Sequence, residues 1–169
     1  MSLRNRLIVV IGLAVLAVHP ALGQRRQLPP GAEGPLVGAT EVFHKDDATG
    51  FVLAGFDPLS YLLPEGPQPG RGDLELVWSG VAWRFASEAN RTAFAANPAI
   101  YAPRVGAYDA EAMSRGRIVD ANPMLYVVRE GRLYLFRNDA NRARFLADPD
   151  LAARAEERWN VLKGGLVQP

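Results

Sequence analysis

The sequence predicts an α+β fold: one small domain of two β-hairpins in an antiparallel sheet, packed by several short helices. Three observations carry this. "LELVWSGVAWRF" and "LYVVREGRLYLF" each place alternating apolar residues on both sides of a two-residue turn. Between and after them, short apolar patterns at helical spacing start at capping residues and stop at Asn-Pro, Gly or Asp-Pro. No strand-helix-strand alternation of a parallel sheet is present, and the chain is read as having no internal repeat.

Residues 1–23 carry Arg4 and Arg6, an apolar run over 7–18, then Ala21-Leu22-Gly23, the pattern of a cleaved secretory signal. The apolar run is too short to cross a bilayer core comfortably, so no stable membrane span is expected after cleavage. Residues 24–39, rich in Pro, Gly and charge, read as a flexible leader, and residues 40–165 as the folded domain. These features predict a periplasmic or secreted protein.

Within the domain, "EVFH" and "GFVLAGF" read as two short strands around a turn at residues 45–50. Asp57-Pro58 caps a short helix, "DPLSYLL". In the first hairpin, turning at Ser79-Gly80, Trp78 faces Val81, Leu76 faces Trp83 and Leu74 faces Phe85, with Glu75 beside Arg84 on the other face. Ser87 caps a helix that ends at Asn97-Pro98. A turn with Tyr101 and Pro103 leads to a helix from Asp109 to Arg115, closed by Gly116. The second hairpin turns at Glu130-Gly131 and pairs Val128 with Leu133 and Tyr126 with Leu135 on its core face. A helix over 138–147 follows, and Asp148-Pro149 opens another with the stripe Leu151, Ala155, Trp159, Leu162.

Composition narrows function. Loss of the signal removes two of the 19 basic residues, leaving 17 against 18 acidic, which argues against nucleic acid or anionic lipid as partner. With no cysteine, an exported chain lacks disulfides, thiol catalysis and thiolate metal sites. Phosphate loops, dinucleotide fingerprints, nucleophile elbows and paired-histidine zinc helices are absent, so no catalytic residue is assigned. Signal cleavage removes His19 and leaves His44, which no local arrangement recommends as a base.

What remains is a set of polar-tipped aromatic residues and carboxylates. Tyr61, Tyr101 and Tyr108 pack their rings and keep a polar tip; with Asp57 and Asp109 they form a candidate binding pocket. Asp57 and Asp109 also read as helix caps, which sets the cost of removing Asp109 at about 0.5–2 kcal/mol. Trp78, Trp83 and Trp159 are assigned to the core.

The segments "GFDPLSYLLPEG", "WSGVAWRFASEANRTAFAANPAIYAPRVGAY", "REGRLYLF" and "ERWNVL" resemble exported bacterial YHS-domain proteins over residues 52–162. Gly55, Asp57, Pro58 and Tyr61 match the opening motif of that family. Phe94, Asn97, Pro98, Tyr101 and Pro103 match the central one, and Gly106 and Tyr108 a glycine-tyrosine segment. The resemblance implies a small module associated with metal handling, whose exported members mostly lack an assigned activity. It breaks at Ala107 and Asp109, where such members commonly have a second glycine and a cysteine. A carboxylate in place of a thiol favours hard cations over copper or zinc.

The expectation is therefore a non-enzymatic exported domain that binds a small ligand, ion or protein partner, the family thiol site being replaced by Asp109. No cofactor is predicted, although a divalent metal is possible. The alternative is an envelope metal-binding or metal-homeostasis protein with the oxygen ligands Asp57, Asp109 and Tyr108 and with His44. A third reading, an enzyme with a Tyr/Asp acid-base pair, requires those groups to meet in a pocket.

Overall fold

The computed structural model describes residues 42–166; the signal peptide and leader expected over residues 1–39 lie outside the described residues. The α+β expectation holds: two antiparallel hairpins, forming two separate two-stranded sheets, are packed by five helices. The first hairpin joins β1 (Arg71–Trp78) to β2 (Val81–Phe85), followed by α1 (Glu88–Ala96) and α2 (Pro98–Tyr101). Then come α3 (Ala110–Ser114), the hairpin β3 (Asn122–Arg129) and β4 (Arg132–Phe136), α4 (Asp139–Ala147) and α5 (Leu151–Leu162).

Both turns fall where the sequence puts them, with left-handed Ser79-Gly80 and Glu130-Gly131. Trp78 pairs Val81, Leu76 pairs Trp83, and Arg84 Nη2 lies 2.9 Å from Glu75 Oε1. The expected Leu74 and Phe85 pair does not form: a bulge between Arg71 and Glu75 moves the register so that Phe85 pairs Arg71. The caps at Ser87, Asp109 and Asn138 each accept the backbone N–H three residues on, satisfying a donor that the first helical turn leaves open.

Two expectations are overturned. Neither expected strand forms among the described residues: Val42, Phe43 and His44 join no ladder, Lys45 makes an isolated bridge to Val52, Phe51 one to Ala82 and Phe56 one to Pro69, and Leu53–Gly55 is a 3-10 turn; a short apolar run reads equally well as a strand or as a buried turn. Val128, expected in the core, is 38% exposed. The burial instead falls on β4, where every residue from Leu133 to Phe136 is buried. Its alternation sends Leu133 and Leu135 into a core with Trp83, Phe85 and Phe94, and Tyr134 and Phe136 into a second core with Phe145, Leu151 and Trp159. One strand thus serves as the wall between two cores.

A third finding also departs from the sequence reading: the domain is an internal repeat. Phe85, Asn90, Arg91, Phe94 and Pro98 recur 51 residues later as Phe136, Asn141, Arg142, Phe145 and Pro149. The same bulge recurs, between Arg71 and Glu75 and between Asn122 and Tyr126. Ahead of each hairpin runs a left-handed turn, Leu53, Ala54 and Gly55 (φ 57°, 51°, 85°) and Val105, Gly106 and Ala107 (φ 50°, 67°, 64°). Such backbone costs about 1–2 kcal/mol per non-glycine residue. It is held because each turn delivers an aromatic-aspartate pair, Phe56-Asp57 or Tyr108-Asp109, to the same place in its own half. There the N–H of Asp57 reaches the Gln68 carbonyl at 2.9 Å, and that of Asp109 the Val119 carbonyl at 2.8 Å.

Candidate functional site

The repeat explains what Asp57 and Asp109 do. Asp57 is 0% exposed, and its carboxylate accepts the N–H of Leu59 (2.9 Å), the N–H of Ala86 (2.8 Å) and the Asn90 amide (2.7 Å). Asp109, also 0% exposed, accepts the N–H of Ala112 (2.7 Å), the N–H of Arg137 (2.6 Å) and the Asn141 amide (2.8 Å). Each carboxylate caps one helical segment and latches it to the strand end and helix that close the hairpin, a buried charge made tolerable by three donors.

The five residues expected to form a pocket are distributed through the domain. Asp57 and Tyr61 lie in the first half; Tyr61 is 2% exposed, its ring edge-on to Tyr126 at 5.0 Å, its hydroxyl without a hydrogen-bond partner among the described residues, and burial raises its pKa. Tyr101 packs on the first core at the end of α2. Tyr108 belongs to the second core, between His44 (5.5 Å) and Trp159 (5.8 Å), next to Asp109. His44 in turn has Nδ1 3.5 Å from Asp120.

None of the five lines the cleft with the most aromatic walls among those of the described residues. This cleft, about 230 Å³, opens between α2 and the segment that follows it on one side and α5 on the other. Phe43, Trp78 and Trp159 supply aromatic walls, and Ala99, Ala102 and Val105 an aliphatic floor. Gly106 lines it too, where a side chain has no room: a Cβ would sit 2.3 Å from the Val42 carbonyl oxygen and 2.7 Å from the Trp159 ring.

The polar side of the cleft is Arg104, Glu156, Asn160 and Lys163. Arg104 donates through Nε (3.0 Å) and Nη2 (2.7 Å) to the two oxygens of Glu156, which also accepts the Tyr134 hydroxyl at 2.6 Å and has Arg132 at 3.4 Å. Burial alone would raise the Glu156 carboxyl; hydrogen bonds from Arg104 and Tyr134 outweigh it and hold the pKa below the usual glutamate range. The hydrogen bond to Glu156 raises Arg104, and burial together with that carboxylate pushes Tyr134 up to about 12. Near neutral pH the glutamate therefore stays charged and the tyrosine keeps its proton, so the pair is a fixed node and a poor proton shuttle.

Composition hid these residues for two reasons. Glu156, Trp159, Asn160 and Lys163 follow i, i+3, i+4, i+7 spacing and so share one helical face, a signal present in the sequence but obscured by assigning Trp159 to the core alone. Arg104 stands 52 residues from Glu156 in sequence, and only the fold joins them. Trp83 is fully buried as expected, while Trp78 and Trp159 also face the cleft.

Among the described residues no group of three or more histidine, aspartate or glutamate side chains is placed to hold a metal ion, and no helix is long and apolar enough to cross a membrane. No protein-family model, no curated protein and no solved structure matches the chain.

Proposed function

We propose that this chain is an exported YHS-type domain that works as a non-enzymatic binding module and holds a small ligand in the cleft between α2 and α5. The YHS assignment and the export rest on the motifs and leader of the sequence. The binding reading rests on one observation: the cleft combines aromatic walls with a fixed polar edge, the usual make-up of a small-molecule site. The non-catalytic reading is supported by the Glu156 and Tyr134 node, which keeps a charged carboxylate and a protonated hydroxyl near neutrality and so is poorly suited to proton transfer.

The metal-binding alternative needs a carboxylate with open coordination sites, and Asp57 and Asp109 each already accept three N–H groups. Equilibrium dialysis against copper, zinc, manganese and calcium, read by elemental analysis, tests it. The proposal expects less than stoichiometric metal; one equivalent lost in Asp109→Asn establishes the alternative.

The binding reading is tested by NMR with a library of small ring compounds. Ligands are expected to shift the indole N–H signals of Trp78 and Trp159. The Trp83 indole, hydrogen-bonded to the Trp78 carbonyl at 3.1 Å, serves as the buried reference. Shifts confined to residues away from the cleft refute the assignment.

A further inference from the structure

We infer that the ligand of this cleft is a small anion carrying one flat ring, a single-ring carboxylate. This deepens the cleft reading and rests on it.

Charge supplies the first step. The cleft is lined by two cations, Arg104 and Lys163, and one carboxylate, Glu156. Arg104 and Glu156 are joined through two hydrogen bonds, and Arg132 lies 3.4 Å from the same carboxylate, so Glu156 leaves no negative charge uncompensated. Lys163 has no carboxylate partner among the described residues, so one positive charge is left over at the mouth. An anionic head group is drawn to this excess of positive charge. Asn160, one turn before Lys163 on the same face, offers amide donors to the same head group.

Size and wall chemistry supply the second. An apolar cavity of about 150 Å³ suffices to hold benzene. At about 230 Å³ this cleft accommodates one ring with a short acidic arm. Trp78 is braced by Phe43 at 5.4 Å and Trp159 by Tyr108 at 5.8 Å, so neighbouring rings hold the indole walls in place, and aromatic lining of this kind favours a ring in the ligand.

Position supplies the third. The cleft lies where the two halves of the repeat meet: Trp78, Ala99 and Ala102 come from the first, and Val105 and Gly106 from the second. α5, which carries Trp159 and Asn160 and is followed directly by Lys163, is 12 residues long, against four for α2, the helix that follows α1 in the first half. The long helix supplies chemistry that the repeat by itself does not contain.

The test titrates the purified protein with phenylacetate, phenylacetamide, phenethylamine and acetate, reading the Trp78 and Trp159 indole signals. Phenylacetate is expected to bind about fivefold more tightly than phenylacetamide, as suits one solvent-exposed charge pair, with the advantage shrinking at high salt. Lys163→Gln should bring phenylacetate and phenylacetamide to near-equal affinity; a fivefold preference that survives in this variant overturns the role of Lys163. Phenylacetamide or phenethylamine binding as tightly as phenylacetate overturns the anion assignment while leaving the cleft as the site. Acetate matching phenylacetate overturns the ring requirement. If no probe moves either indole at millimolar concentration, the inference and the cleft reading both fail.

Discussion

Replacing Asp109 with alanine should cost far more than a lost helix cap. The cap bond to the Ala112 N–H is worth about 1 kcal/mol. The same carboxylate also satisfies the Arg137 N–H and the Asn141 amide, and leaving each of these without a partner costs about 1–2 kcal/mol. The sum, about 3–5 kcal/mol, exceeds the about 0.5–2 kcal/mol that a capping role alone sets. For a domain of about 125 residues it lowers Tm by roughly 10–25 °C. Urea unfolding followed by circular dichroism and tryptophan fluorescence measures it, with an unchanged slope expected if both states keep their compactness. Asp57→Ala should lose a similar amount, because Asp57 makes the equivalent three contacts in the first half. A loss near 1 kcal/mol in Asp109→Ala refutes the latch reasoning and returns the residue to a simple cap; a large loss at Asp109 beside a small one at Asp57 refutes the equivalence of the halves.

Gly106→Ala should destabilise by several kcal/mol and close the cleft, since its Cβ meets backbone and the Trp159 ring at a left-handed position; Gly131→Ala, left-handed but in open space, should cost about 1 kcal/mol, and thermal melts separate the two. The Glu156 pKa is depressed by folding, so its stabilising effect is present at neutral pH and lost as pH falls through the folded value. The stability gap between the native protein and Glu156→Gln should therefore narrow in acid, in urea titrations at stepped pH. Tyr134, with a folded pKa of about 12 against about 10 when unfolded, contributes stability below pH 10 that fades as pH rises toward 12; ultraviolet titration should show a late tyrosinate step that Tyr134→Phe removes.

Much of the fold was legible because its determinants are local. Ser79-Gly80 and Glu130-Gly131 set the hairpin turns, and Ser87, Asp109 and Asn138 start helices through bonds that span three residues. The left-handed turns at Leu53-Ala54 and Val105 were not, because local preference opposes them and only the delivery of Asp57 and Asp109 to their partners holds them. The repeat left a faint trace, "ANR" twice at the head of a helix, that composition and periodicity passed over.

For the candidate site the division is similar. The sequence named Asp57 and Asp109 as notable but could not tell a ligand from a latch, since their partners Ala86, Asn90, Arg137 and Asn141 stand 28 to 33 residues away. Tyr61, Tyr101 and Tyr108 were chosen for their chemistry, yet packing sends Tyr61 and Tyr101 to one core and Tyr108 to the other. The sequence by itself determined the hairpin turns, the caps at Ser87, Asp109 and Asn138 and the apolar stripe of the last helix, because a turn or a helix start is decided by energies acting within a few residues; the last helix itself starts at Leu151 with Asp150 at its cap, two residues beyond the expected Asp148-Pro149 opening. Tertiary structure alone decided the two cores divided by β4, the paired aspartate latches and the cleft, because each depends on which distant surfaces the chain buries against one another.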